Sequence, residues 1–348
     1  MDIKSRQVPR GLVLDIKEVA GSIRRFQRTS GEIPWCDGEK TDPWDMVEAA
    51  IGLTIAGYES DALRAFDWLA DCQLDDGSWY AAYRDGQPED CTRDTNMSTY
   101  IAVGLYYYYR VTGDRGALER YWKTLYSAIA FALELQAPGG SIYWAKSPEG
   151  EVDPMSLLTG SSSIYLSLKC AIMIADLLEK PQSRWEIALK QLGGSLRERP
   201  HLYNIAKSRF SMDWFYPILS GAFTGEAAQK RVEKYWKKFV YDGQGVRCVS
   251  DEPWITIAES SEFVLALFAM GNDELARIVF DWIQDRRYED GSYWCGYTYP
   301  EMVIWPEERL TWTNAVVLMA ADALYRLTPA WDFFSHTVWQ QSRIGHLL

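Results

Sequence analysis

The chain has 348 residues, of which 47% are hydrophobic and 24% are charged, and its formal net charge is −12. This composition can bury a substantial core, and the acidic balance argues against nucleic acids and anionic membrane surfaces as partners, because both require Lys/Arg patches. No apolar run of about 18 residues occurs, so we expect no transmembrane segment. The N-terminal stretch MDIKSRQVPRGLVL has no apolar signal core, so we expect a cytoplasmic location.

Apolar residues recur at helical spacing along most of the sequence. Ile16, Val19 and Ile23 share one face of a first helix, and Asp42 followed by Pro43 is typical of the start of a second. No segment has a convincing strand pattern, so the fold class is all-α. The pattern predicts about twelve helices, near residues 12–26, 43–56, 60–73, 95–111, 116–135, 161–178, 182–196, 211–219, 225–240, 256–270, 273–286 and 308–327.

The connections between these helices alternate between short turns and long loops. This alternation predicts six helical hairpins arranged as a closed (α/α)6 toroid, with an inner and an outer ring of helices; an open α-solenoid is the alternative. We expect a single domain over residues 1–348, with an irregular tail at 328–348 that packs on it. In a toroid, every long loop returns to the start of an inner helix, so all six loops lie on one face.

A similar turn occurs four times, in FQRTSGEIPW, QLDDGSWY, LQAPGGSIYW and RRYEDGSYW. Each copy follows a helix, bends at a glycine and ends near a tryptophan. In the second copy Gly77 allows the bend, and Trp79 either wedges between hairpins or faces the loops. The wedge is the preferred interpretation, because it explains the repetition without requiring a function.

Each long loop carries at least one carboxylate and one large aromatic side chain. Aromatic faces stack on sugar rings, while carboxylates and guanidinium groups bond sugar hydroxyls, and two carboxylates can serve as acid and base in glycoside hydrolysis. For any single residue, such as Asp42 or Asp94, capping of a helix is the alternative. The predicted substrate-binding residues are Trp44, Asp45, Asp94, Asn96, Trp214, Arg247, Glu252, Trp254, Tyr297 and Trp312.

Two other functions remain open. An aromatic-lined pocket could stabilise the carbocation of an isoprenoid substrate, and a non-catalytic glycan-binding protein would need no acid and base. The phosphate-binding GxxxxGK(S/T), dinucleotide-binding GxGxxG and GxSxG nucleophile motifs are absent. With three histidines and six scattered cysteines, we expect no metal site and no cofactor. The oligomeric state is not predictable.

The four glycine–tryptophan turns, QLDDGSW above all, resemble the repeated motif of terpenoid cyclases and protein prenyltransferases. That resemblance implies an α/α toroid over most of the chain. The acidic DxDD motif of the cyclases is absent, and no histidine lies where the last zinc ligand of the prenyltransferases would fall.

A second resemblance is local. EERLTWTNAVVLMAADAL is similar to the closing segment of glucoamylase-like (α/α)6 glycosidases, and the resemblance implies a catalytic base shortly upstream, at Glu301. DEPWITIAES is similar to their Asn-Pro-Trp loop, matched by Glu252, Pro253 and Trp254. The acid of that family precedes the sixth helix, where this chain has MSLLTGSSS, and Asp153 is the nearest substitute.

We therefore predict a glycoside hydrolase that inverts the anomeric centre. Glu301 is the predicted base, Asp153 or Asp213 the acid, and Glu308 the alternative base. Trp44, Trp254 and Trp312 are the predicted sugar platforms, so a sugar is the preferred small-molecule substrate over an isoprenoid.

Overall fold

A computed structural model describes residues 10–348, so most of the N-terminal stretch that we searched for an export signal lies outside the described residues. The fold is predominantly helical. Helices α1–α15 span Ile16–Phe26, Pro43–Ile55, Glu59–Cys72, Thr95–Thr99, Ile101–Thr112, Arg115–Arg120, Trp122–Glu134, Leu158–Leu177, Ser183–Glu198, Ser211–Leu219, Gly225–Phe239, Ile257–Ala269, Asp273–Ile283, Thr311–Tyr325 and His336–Gln341.

The structure corrects two details of the predicted elements. The helices expected at 95–111 and 116–135 are interrupted at Tyr100 and Tyr121, so each becomes two consecutive helices. The expectation of no strands was wrong, because the long loops fold into strands of two to four residues, too short to give an alternating pattern. Strands β1–β9 span Ala82–Arg84, Gln87–Asp90, Arg93–Asp94, Ala145–Lys146, Val152–Asp153, Val240–Tyr241, Gly245–Arg247, Trp254–Thr256 and Gly296–Thr298.

The strands form three small antiparallel sheets, ordered β1-β2, β3-β4-β5 and β6-β7-β8-β9. β3 leads directly into α4, and β8 leads directly into α12. The sheets therefore fix where these two helices begin.

Six helical units, here called the inner helices, contact one another in sequence: α2, α4–α5, α8, α10, α12 and α14. α14 in turn packs against α2, so the series of contacts returns to its starting helix. The outer helices are α1, α3, α6–α7, α9, α11 and α13, and each packs against an inner helix. Inner helices are mostly apolar on all sides because they are covered on all sides.

α8 is long and apolar enough to cross a membrane by length and composition alone, and 78% of its most apolar window is buried inside the protein. Such burial is typical of the core helix of a folded domain. No other helix among residues 10–348 meets that criterion.

Three of the repeated turns share one contact, here called the glutamine–glycine clip. Its members are the pairs Gln27/Gly31, Gln73/Gly77 and Gln136/Gly140. In the second clip, Nε2 of Gln73 donates to the carbonyl of Gly77 at 2.9 Å and to the carbonyl of Thr124 in α7 at 2.9 Å. The other two clips bond the backbone of α3 and α9 in the same way. Each clip therefore ties one turn to the next outer helix.

The geometry of the clip also explains why a glycine occupies position 77. Gly77 has φ of +88°, and a Cβ at this position would collide with the backbone of Ser127. Trp79 is buried, and its Nε1 donates to the carbonyl of Leu69 at 2.8 Å. For this copy the wedge interpretation is confirmed, because the indole packs in the core.

The tail at 328–348 contains the short helix α15, which we had expected to be irregular. Phe333 packs on Tyr107 with ring centroids 4.9 Å apart, and Asp332 accepts a hydrogen bond from Arg110 at 2.6 Å. These partners lie in the second half of α5. The tail therefore covers the C-terminal end of the inner helices, and the opposite end, here called the mouth, holds their N-termini.

Candidate active site

Two inner helices bring matching pairs of acids to the mouth. α2 carries Asp45 and Glu48, and α12 carries Glu259 and Glu262, at the third and sixth positions of each helix. Residues three apart lie on the same side of a helix. Asp45 is half-buried. The other three acids are buried, with exposed fractions of 3% for Glu48, 7% for Glu259 and 5% for Glu262.

Asp45 lies in a crowded acidic environment. Burial raises the pKa of its carboxyl well above the usual range, and the charges of Asp42 and Glu48 and a hydrogen bond to Asp42 raise it further. Asp42 caps α2 by accepting from the backbone N–H of Asp45 at 2.9 Å and also accepts from Nε1 of Trp35 at 2.8 Å. These effects favour the protonated form of the Asp45 carboxyl.

Glu48 lies one turn deeper. Its Oε1 accepts from Nε1 of Trp44 at 2.9 Å and from the hydroxyl of Tyr100 at 3.4 Å. Burial raises the pKa of Glu48 to about 8 despite these two hydrogen bonds, and the charges of Asp42 and Glu259 add to the increase. The charge of Glu259 on α12 thus acts on Glu48 on α2.

On α12, burial raises the pKa of Glu262 well above its usual range, and the charges of Glu48 and Glu259 add to this effect. Oε2 of Glu259 is buried without a hydrogen-bond partner. A buried carboxylate oxygen is costly unless it is bonded. Oε2 of Glu259 is therefore available to a substrate or to a water molecule.

Other unpartnered polar atoms surround these acids. They lie where the inner helices begin, which is where the long loops end. They are Oδ1 of Asn96, Oγ of Ser161 and Ser211, Oγ1 of Thr256 and Thr313, and Nε1 of Trp312. Buried polar atoms in folded proteins nearly always have partners. A ring of donors and acceptors that the protein leaves free suits a ligand with many hydroxyl groups.

A cavity of about 110 Å³ opens among α2, α4 and α8. Trp44 forms one wall, and its ring packs against Tyr100 and Tyr216 at centroid distances of 5.4 and 5.6 Å. Asn96, Ser161 and Trp144 each contribute an unpartnered polar atom to its lining residues. An aromatic wall beside free hydrogen-bonding groups is the arrangement that a sugar ring requires.

Asp94 also lines this cavity. Its Oδ1 caps α4 by accepting from the backbone N–H of Met97 at 2.9 Å. Burial raises the pKa of Asp94 to about 6, although its backbone hydrogen bonds lower it. Of the predicted binding residues, Trp44, Asp94 and Asn96 therefore line one cavity. Asp45 follows Trp44 on α2, and Trp312, at the start of α14, packs on Trp35 with ring centroids 6.1 Å apart.

The other predicted binding residues lie elsewhere. Trp214 is buried in the core, where it stacks on Phe239. Arg247, Trp254 and Tyr297 lie in the β6–β9 sheet, and Glu252 is exposed in the turn before β8. Nε1 of Trp254 donates to the carbonyl of Trp305 at 2.7 Å. The hydroxyl of Tyr297 donates to the backbone carbonyl of Gln244 at 3.0 Å. These contacts brace the sheet.

The four predicted catalytic residues do not meet at one point. Asp153 is exposed in β5, and Glu301 is exposed in the turn after β9, so they belong to different sheets. Asp213 is buried, and its Oδ1 accepts from the N–H and hydroxyl of Thr159 at 3.1 and 2.6 Å. Glu308 is half-buried, and burial raises its pKa. Their catalytic roles remain predictions.

Sequence reasoning missed Glu48, Glu259 and Glu262 because it searched the loops and not the helices. A signal was present: IAESSEFVLALFA and PWDMVEAAIGLTI are otherwise apolar helices, and each contains two acids three residues apart. Acids are seldom buried unless they are paired or functional. Among residues 10–348, no group of three or more His, Cys, Asp or Glu side chains is arranged to hold a metal ion.

Known proteins resemble the chain in sequence and in fold. No family model matches it. It is 45% identical over 318 residues to the MMP endo-(1,4)-3-O-methyl-alpha-D-mannosidase of Mycolicibacterium hassiacum, and the match covers 91% of this chain and 88% of that protein. An uncharacterized glycosyl hydrolase of Methanocaldococcus jannaschii is 34% identical over 83 residues, which is 24% of this chain and 14% of that protein.

Two solved structures share the fold. The GH63 mannosylglycerate hydrolase of Thermus thermophilus, in complex with Tris and D-glycerate, has a TM-score of 0.70 at 12% identity and covers 87% of this chain and 99% of its own. The structure of a wild-type glycosidase has a TM-score of 0.67 at 16% identity, and the match covers 90% of this chain and 96% of that protein. These relatives lend no support to the terpenoid cyclase resemblance. The chain belongs to the family of the Mycolicibacterium mannosidase and is a glycoside hydrolase.

Proposed function

We propose that the inner and outer helices form a closed six-hairpin toroid whose mouth is the active site. The return of the inner contacts from α14 to α2 supports closure. The long loops end at the N-termini of the inner helices, and this is where the acids and the unpartnered polar atoms lie.

Within that mouth, Asp45 is the proposed general acid and Glu259 the proposed general base. The observation that carries this assignment is that α2 and α12, which both pack against α14, carry acids at matching positions near their N-termini. Asp45 retains a proton because its pKa is raised, so it can protonate the leaving oxygen. Glu259 offers a buried carboxylate oxygen with no partner, which can accept a proton from water.

The expected stereochemical outcome is inversion. α14 packs between α2 and α12, so the two acid-bearing helices are separated by one inner helix. Inverting glycosidases hold their two carboxyl groups about 6.5–9.5 Å apart, because a water molecule attacks from the side opposite the acid, and carboxyls on helices that are not adjacent are compatible with that spacing.

The proposed substrate is an α-(1→4)-linked mannose chain that carries 3-O-methyl groups and is cleaved internally. The relative of Mycolicibacterium, which is 45% identical, supports this choice. The mouth is compatible with it, because a methyl ether is less polar than a hydroxyl and fits beside an aromatic wall such as Trp44.

The substrate is tested by incubating the protein with 3-O-methylated and unmethylated α-(1→4)-mannooligosaccharides. Mass spectrometry of the products should show internal cleavage of the methylated chains. Release of single terminal residues, or no cleavage of either series, would contradict the proposal. NMR of the first-formed sugar should show the β anomer, and the α anomer would rule out inversion.

The base is tested with Glu259→Gln. Turnover should fall by about 10²–10⁴-fold, because water is no longer deprotonated. Azide should restore turnover and yield a β-mannosyl azide, since an anionic nucleophile needs no base. Glu233→Gln, an exposed acid on α11, is the matched control and should keep wild-type activity. Wild-type turnover in Glu259→Gln would end the assignment.

A further inference from the structure

A second cavity lies at the opposite end of the inner helices, under the C-terminal tail. Its volume is about 380 Å³, which is within the range for small organic ligands. α8 and the turn after α10 form one side, and the tail that contains α15 forms the other. None of the acids at the mouth lines it.

Lys169 of α8 lines this cavity and is only 1% exposed. Its ammonium group lies 4.3 Å from the ring centroid of Trp339 and 5.7 Å from that of Tyr165. An ammonium has three N–H donors. Within residues 10–348, the ammonium of Lys169 contacts these two rings and pairs with no carboxylate.

The surroundings of Lys169 favour an external anion. Burial lowers the pKa of Lys169 to about 7, so the protein itself compensates this charge poorly. Gly221 leaves room beside the ammonium, because a Cβ there would lie 3.2 Å from Nζ. His336 faces the same space, but burial lowers its pKa to about 4, so it is neutral at neutral pH.

A second cation is present at the rim. Arg197 of α9 lines the cavity and is exposed; its guanidinium donates to the carbonyl of Ala222 at 3.5 Å and also bonds the hydroxyl of Tyr165. Lys169 at the base and Arg197 at the rim thus lie along one cavity in a protein whose net charge is −12. The aromatic rings of Phe223 and Trp339 supply an apolar wall.

We propose that this cavity binds a small organic anion, with a carboxylate or phosphate group placed between Lys169 and Arg197 and an apolar or sugar portion against the rings. The site is separate from the mouth and does not depend on the substrate proposed above. Attraction to two cations in a partly dry cavity is stronger than at the surface.

Calorimetric titration of the whole protein tests this proposal. The probes are inorganic phosphate, a hexose 6-phosphate and citrate, with the unphosphorylated hexose as the neutral control. At least one anion should bind once per chain with a Kd of about 1 mM or below, and the neutral hexose should not displace it. If phosphate alone binds, the ligand is a free oxyanion. If the sugar phosphate or citrate binds more tightly than phosphate, the ligand is an organic anion.

Lys169→Met should weaken anion binding by about tenfold or more, because the central charge is removed while the packing volume is kept. Arg197→Gln should weaken binding as well, and its exposed position makes misfolding no explanation. Both variants should hydrolyse glycosides at the wild-type rate, and Glu259→Gln should bind the anion normally. If no probe binds below about 10 mM, or if both variants bind like the wild type, the proposal is wrong.

Discussion

The two ends of the inner helices differ in charge and in the partners of their charged groups. At the mouth, burial and the charges of neighbouring acids raise the pKa of Asp45, Glu48 and Glu262. At the other end, Lys169 stands alone beside a cavity. Asp45 and Glu259 lie in the first turns of α2 and α12, where the helix dipole favours acids, whereas Lys169 lies in the middle of α8.

This contrast separates reactivity from binding. Carboxyls that raise one another's pKa can hold a proton at neutral pH and deliver it, as acid catalysis needs. A buried cation without a partner has no such chemistry for a glycoside, but it attracts an anion. One helical scaffold therefore supports two kinds of site.

The largest expected effect belongs to Asp45. Asp45→Asn should lower turnover of an oligosaccharide by about 10²–10⁴-fold, because the leaving oxygen is no longer protonated. An aryl mannoside with an acidic phenol should be hydrolysed almost normally, since its leaving group needs no proton. Steady-state kinetics on both substrates measures this. Equal losses on the two would show that Asp45 is not the acid.

Glu48 should have a smaller effect, on stability. Its folded-state pKa of about 8 lies above the ordinary value of 4.5, so the folded chain holds an extra proton between these pH values. The extra proton stabilises the folded state. This stabilisation is fully present below the ordinary pKa of 4.5 and is lost as the pH rises through about 8.

In Glu48→Gln this pH dependence should disappear. The variant should unfold at a Tm about 2 °C or more above that of the wild type at pH 9, with less difference at pH 5. Thermal unfolding across pH measures it, with Glu233→Gln as the exposed control. Parallel Tm curves for Glu48→Gln and the wild type would mean that Glu48 is ionised throughout.

The smallest effect is expected at Glu301. Because this carboxylate is exposed and lies outside the buried acids, Glu301→Gln should change kcat/KM by less than about twofold, as is usual for exposed positions. The resemblance to glucoamylase-like enzymes implied the opposite. A loss of 10²-fold or more would restore Glu301 as the base and displace Glu259.

Much of the fold followed from periodicity, because amphipathic outer helices such as α1 and α13 show it strongly. The alternation of short and long connections also led correctly to hairpins. The short strands escaped notice, since two or three extended residues leave no pattern. At the candidate site, Trp44, Asp45, Asp94 and Asn96 could be proposed from the sequence because each lies at the end of a long loop.

The buried glutamates of α2 and α12 were harder to find for a physical reason. Glu48 and Glu259 lie on helices about 200 residues apart in sequence, which one-dimensional spacing does not relate. The deciding feature, Oε2 of Glu259 without a partner, is a property of three-dimensional packing.

The glutamine–glycine clips have a consequence for how such an enzyme changes over time. In the second clip, Gln73 and Gly77 fasten the turn to α7 before the chain reaches β1, β2 and Asp94. Changes in the turn between β1 and β2 then leave the attachment of QLDDGSW to α7 in place. The stretch QLDDGSW thus acts as an anchor point, and it gives the enzyme freedom to acquire new substrates while its scaffold stays the same.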